Sequence, residues 1–179
     1  MNRKLVVSLL CLILLTALFF KVRNSLPVLR AQGVNLSYEN FKKNKEGLVR
    51  FRDLNRENAS DLDIEKGILL SLIEDAFIKN ELKKAGSSSE TEDKIVNGTI
   101  SERDSVKLEK SIGDLYGWTV EDFKNFVLYP QARRILWMEE LQKEKRDPQK
   151  WLEKSMSEAN ISIYLLRWKW SDNELKRRF

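Results

Sequence analysis

The first apolar block along the chain differs from all later ones. From Leu5 to Phe20 the sequence is almost free of polar residues, with Arg3 and Lys4 before it and Lys21 after it. As a helix rising ~1.5 Å per residue this run covers about 24 Å, short of a ~30 Å hydrocarbon core, so the flanking Arg and Lys must snorkel. No small-x-small cleavage site follows between Thr16 and Arg30, so residues 1–22 are read as a retained signal-anchor. Residues 23–33, with Pro27 and Gly33, read as a linker.

Beyond the linker the pattern turns helical. Val34 to Leu36 is a short strand candidate, and Ser37 has the chemistry of an N-cap. Tyr38, Phe41, Leu48, Phe51 and Leu54 recur at helical spacing on a narrow face that ends near Asn55. From Leu62 to Ala85 a broader stripe (Ile64, Ile68, Leu69, Ile73, Phe77 and Leu82) predicts the core helix, stopped by Gly86. A small helix is expected over Glu90 to Val96, closed near Asn97-Gly98, and another from a Ser101 cap to Tyr116, stopped by Gly117. Thr119 and Asp122 have capping-box spacing and open a long helix to Leu141, within which Pro130 predicts a kink or division. Asp147-Pro148 marks the start of one more short helix.

At Ile161 the period changes to two. Ile161, Ile163 and Leu165 alternate with Tyr164, Leu166, Trp168 and Trp170, which predicts one strand over 161–170. Its expected partner is Val34 to Leu36, a short two-stranded pairing of the domain's ends. The fold class is thus mainly α, five to six helices in a domain over 34–170, with 171–179 as a charged tail that frays.

Composition narrows the chemistry. The chain has no histidine, and its one cysteine, Cys11, lies inside the first apolar run. His-based triads, most zinc sites and His proton shuttles are excluded, and no intrachain disulfide can form. No catalytic, cofactor-binding or metal-binding residues are assigned, and the protein is expected not to be an enzyme. The net charge of +5 is spread in mixed runs, the pattern of solvated helix faces rather than of a nucleic-acid surface. Lys21, Arg23 and Arg30 follow the apolar run and make membrane lipid the nearer partner. Flanking charge does not settle orientation, but a short N-terminal head before a first apolar run favours export of the chain beyond that run, hence an extracytoplasmic domain at the cell membrane.

Three stretches resemble the N-terminal domain of the SurA-type chaperones, the helical polypeptide-binding domain of periplasmic SurA and of membrane-anchored foldases of the PpiD and PrsA kind. Val34-Asn35-Leu36-Ser37-Tyr38-Glu39-Asn40-Phe41 resembles the family's short strand, turn and Ser-capped helix, shortened at the turn. Ile68 to Ile78, running on to Gly86, is similar to its core helix. Leu115-Tyr116-Gly117-Trp118-Thr119-Val120-Glu121-Asp122-Phe123, through Pro130 to Leu141, is similar to its glycine, aromatic and capped-helix block. The parvulin-type isomerase domain that often accompanies it has no counterpart here, so the resemblance implies holding of unfolded polypeptides without isomerisation. The alternative expectation is an adaptor that binds one fixed partner in an envelope complex.

A holdase needs apolar or aromatic surface beside charge. Trp118, Tyr129, Trp137, Met138, Trp151, Tyr164, Trp168 and Trp170, near the ends of the predicted elements, are the candidate polypeptide-binding residues. Core packing is the competing role for each tryptophan.

Overall fold

A computed structural model describes residues 26–101 and 103–179. The predicted anchor, Leu5 to Phe20, lies outside the described residues, and no helix among them is long and apolar enough to cross a membrane. The described chain is mainly helical with two small antiparallel sheets.

The stretch read as a linker contains the central strand of the larger sheet. β1 (Pro27–Ala31) and β2 (Val34–Ser37) form a hairpin whose turn residues, Gln32 and Gly33, both have positive φ (51° and 78°). Positive φ at both central positions matches the right-handed twist of the flanking strands. Pro27 is tolerated as the first residue of β1, where the ladder loses least from a missing N–H. On its other side β1 pairs with β3 (Ile161–Ile163), Leu29 opposite Ile163, giving the order β2-β1-β3. The ends of the domain do meet, but β1 stands between the two strands expected to pair directly.

Ser37 caps α1 (Tyr38–Asn55) by accepting a hydrogen bond from the Asn40 N–H. A capping box of Ser60 and Asp63 opens α2 (Asp61–Lys84). One face of α2 packs Ile68, Leu69, Ile73 and Phe77 against Val28, Leu29, Ile161 and Ile163 of the sheet, and this is the main core. α3 (Ser89–Ser101) runs on through Asn97-Gly98, where a stop was expected. There Thr99 Oγ1 donates back to the Ile95 carbonyl (2.9 Å), holding the last turn. Asp104, not Ser101, caps α4 (Ser105–Tyr116), and Gly117 (φ 68°) terminates it.

Thr119 and Asp122 form the expected capping box at α5 (Val120–Phe123). The helix then widens into a π-helical segment (Lys124–Leu128) and continues as α6 (Tyr129–Lys143), with Pro130 in its first turn. The wider turn accommodates the position at which proline offers no N–H. Arg133 of α6 donates to both carboxylate oxygens of Asp75 on α2 (2.7 and 2.9 Å) and to Glu92 on α3 (3.0 Å), tying three helices together. Asp147 caps α7 (Pro148–Ser157).

The predicted strand over 161–170 is two strands. Residues 164–167 turn away between β3 and β4 (Trp168–Ser171), and the supposed fraying tail returns as β5 (Glu174–Arg177), paired with β4 through Asp172 and Asn173 at positive φ. Leu175 of β5 is buried.

Candidate functional site

A cleft of about 1700 Å³ runs along α1. One wall is α1 itself, from Tyr38 to Leu54, through Phe41, Lys45, Val49 and Arg50 at the spacing of one helical face. At 18 residues, α1 is roughly 27 Å long. The opposite wall is the entry to β1 (Leu26 to Val28) together with the β3–β4 turn, Tyr164 to Trp168. The N-terminal end of α2 contributes Asp61 and Glu65 to the floor.

One carboxylate joins three of these elements. Glu65 is buried, and its Oε1 accepts from Lys45 Nζ of α1 (2.8 Å) while its Oε2 accepts from Trp168 Nε1 of β4 (3.0 Å). Arg167 approaches the same carboxylate at 3.9 Å, and Lys45 also lies 3.7 Å from Asp61. Burial by itself pushes the Glu65 carboxyl up, but the hydrogen bonds from Lys45 and Trp168 and the charges of Lys45 and Arg167 outweigh it, leaving its pKa below the ordinary glutamate value. A buried carboxylate held from two sides fixes the spacing of the walls, so the cleft is formed before anything enters it.

The rim carries unusual apolar exposure. Leu26 (53%), Leu54 (57%), Tyr164 (53%) and Leu166 (77%) all border the cleft, four of the ten large apolar side chains that stand exposed among the described residues. Apolar side chains scattered singly over a surface need no explanation, whereas a cluster around a concavity marks an interaction site. Charge of both signs lies between them: Lys42 pairs with Glu46 (3.5 Å), and Arg50 Nε donates to the Asp114 carbonyl (3.1 Å).

Of the eight aromatic and Met residues nominated from the sequence, the structure brings Tyr164 and Trp168 to this cleft. Trp168 is its buried floor and not an exposed anchor, because the turn at 164–167 resets the two-residue alternation and directs the indole toward Glu65. Trp118 is buried, stacks on Tyr116 at 4.6 Å and donates to the Lys43 carbonyl (3.0 Å). Trp137 is buried with Ile78, Leu82 and Leu141, and Trp151 packs on it at 5.3 Å. Trp170 packs half-buried on the main core, and the Tyr129 hydroxyl donates to Asp93 (2.7 Å). Met138 is exposed on α6, away from the cleft. Leu26, Leu54, Leu166, Glu65 and Arg167 also line the cleft, none of them among the sequence-derived binding candidates. The available signal was the narrow apolar face of the first helix, which leaves part of its circumference without a helical neighbour.

A second, smaller cavity of about 370 Å³ lies between the sheet, α2 and the π-helical segment. Its charged lining includes Arg133 and Asp75, already joined to each other, and Asp122, which pairs with Lys43 at 2.7 Å. Among the described residues no group of three or more His, Cys, Asp or Glu is placed to hold a metal ion.

Comparison of the chain with family models, curated proteins and solved structures found no match.

Proposed function

We propose that the protein is a membrane-tethered, extracytoplasmic holding domain that binds unfolded or partly folded polypeptides in the cleft along α1, without catalysis. One observation carries the reading: Leu26, Leu54, Tyr164 and Leu166 converge on a single preformed concavity lined by both signs of charge. Such a surface covers sticky segments without a fixed sequence code. The SurA-like motifs support it, as does the β1–β2 hairpin leading into a Ser-capped helix. The tether is the apolar run from Leu5 to Phe20, separated by five residues (21–25) from the cleft's first wall residue, Leu26.

The test uses the full chain in lipid nanodiscs, mixed with several unrelated reduced and unfolded proteins. Aggregation should be suppressed at comparable molar amounts, and Leu54→Arg with Leu166→Asp should abolish suppression while leaving the melting temperature in place. Prolyl isomerisation of a test peptide should stay at its uncatalysed rate, which is slow enough (tens to hundreds of seconds) to reveal weak catalysis. Tight capture of one folded partner without suppression of any client would instead establish the adaptor role.

A further inference from the structure

Resting on the proposed holding function, we infer that the occupant of the cleft is an amphipathic α-helix of another polypeptide, about four turns long, and not an extended segment. Three observations point there. The first is size: a helix ~10 Å across and four turns (~22 Å) long fills about 1700 Å³, the volume of the cleft, and fits within the length of α1.

The second is hydrogen bonding. An extended segment must satisfy a row of backbone donors and acceptors, normally by adding to a strand edge. Among the described residues the cleft presents no such edge: β1 is paired on both sides, by β2 and β3, and Trp168, the residue of β4 in the lining, has its own N–H donating to the Leu165 carbonyl and its carbonyl accepting from Arg178 Nε. The Leu26 and Val28 carbonyls accept from Tyr38 and Tyr164, and those of Leu165 and Arg167 accept from Trp168 and Arg178. The other wall is the side of a helix, which presents side chains only. A helix brings its own backbone already satisfied and asks only for an apolar trough.

The third is the charge pattern. Apolar Val28, Phe41 and Val49 of the two walls stand among cations (Lys42, Arg50, Arg167) and acids (Glu46, Asp53, Asp61). This complements an apolar helical stripe flanked by charges of both signs. These groups are already paired within the chain, Lys42 with Glu46, Asp53 and Asp61 with Arg52, and Arg167 beside Glu65, so the rim is electrostatically mixed and a strongly charged segment of either sign would meet like charge, whereas alternating charges along a helix flank would not.

The full chain in nanodiscs is titrated with three labelled 14-residue peptides of identical size, read by fluorescence anisotropy. The first is an amphipathic mixed-charge helix former, the second its scramble without helical period, and the third carries a central proline. The helix former should bind at least about tenfold more tightly than the other two, and its bound form should be helical by isotope-edited infrared. Leu54→Arg should weaken it about tenfold or more, whereas Val106→Asp, at an exposed site on α4, should not. Equal binding of all three peptides would overturn the helical occupant while leaving the holding function intact. No peptide binding, with aggregation suppression that survives Leu54→Arg, would overturn the cleft itself. A disulfide between Val49→Cys and the native Cys11, or a dimer abolished by Leu54→Arg, would overturn the assignment by showing that the chain's own N-terminal run or a second copy fills the space.

Discussion

Gly47 shows how a single position decides a contact between elements. It lies in the middle of α1, where glycine ordinarily costs up to about 1 kcal/mol relative to alanine. A Cβ there would overlap the indole of Trp118, which is buried and fixed by its hydrogen bond to the Lys43 carbonyl one turn earlier. The ring cannot swing aside without losing that bond and its stack on Tyr116. Gly47→Ala should therefore lower stability by about 1–3 kcal/mol, since overpacking exceeds the propensity gain. Gly67 is exposed in α2 and a Cβ there would meet nothing, so Gly67→Ala should raise stability by about 0.4–1 kcal/mol. Denaturant midpoints of the two variants decide, and equal shifts of one sign would contradict the Trp118 contact. The sequence shows Gly47 only as a weak point in a helix and Trp118 only as an aromatic residue after a glycine. Their meeting across 71 positions is a product of how α1 and α4 pack, beyond the reach of local periodicity.

At the scale of elements, the helices were legible because their signals are local. Ser37, Thr119 with Asp122, and Asp147 each satisfy the first amides of a helix in the structure, and Gly117 takes the left-handed conformation that ends α4. The sheets were less so. β1 is only five residues long and begins with proline, so its sequence has the look of a connection, and its strand character comes from neighbours on both sides. β5 has one buried apolar residue, Leu175, among charged ones, and nothing local separates it from a solvated tail. The cleft shared this fate, because its walls come from residues 26–28, 38–54 and 164–168. The practical consequence is a sharp boundary. Deleting residues 1–25 should leave the melting temperature of residues 26–179 unchanged, whereas deleting 1–31 removes β1 with buried Val28, Leu29 and Ala31 and should abolish the cooperative transition. Circular dichroism melts of the two truncations test this, and a cooperative melt without β1 would return the segment to the role of a linker.

At the scale of the whole molecule, stability should respond to pH on one side only. With no histidine in the chain, no side chain with an ordinary pKa changes charge between about pH 5 and 8. Among the described residues, the carboxyls that fold-specific contacts perturb are all moved the same way. Asp61 is lowered by its hydrogen bond with Arg52, Asp63 by those of the Ser60 cap, and Asp172 by Lys176. Burial works against Asp122 and Glu65, yet Lys43 with Thr119, and Lys45 with Trp168, bring both below their ordinary values. A carboxyl with a depressed folded pKa contributes stability that is present above its unfolded value, about 3.9 for Asp and 4.3 for Glu, and lost as pH falls through the folded one. Below that range the 32 Lys and Arg also act without the 27 opposing carboxylates, and their mutual repulsion adds to the loss. The melting temperature should accordingly be flat from about pH 5.5 to 8 and fall steeply below about pH 4.5. Glu65→Gln should reduce both the plateau stability and the steepness of the acid fall, because it removes one titrating group together with the ion pair to Lys45 across the cleft floor. A calorimetric series over pH gives the answer: a stability change centred near pH 6.5 would mean that a carboxyl or lysine is shifted far from its ordinary range, and that the charges around the cleft are not paired as Glu65, Lys45 and Arg167 are in the structure.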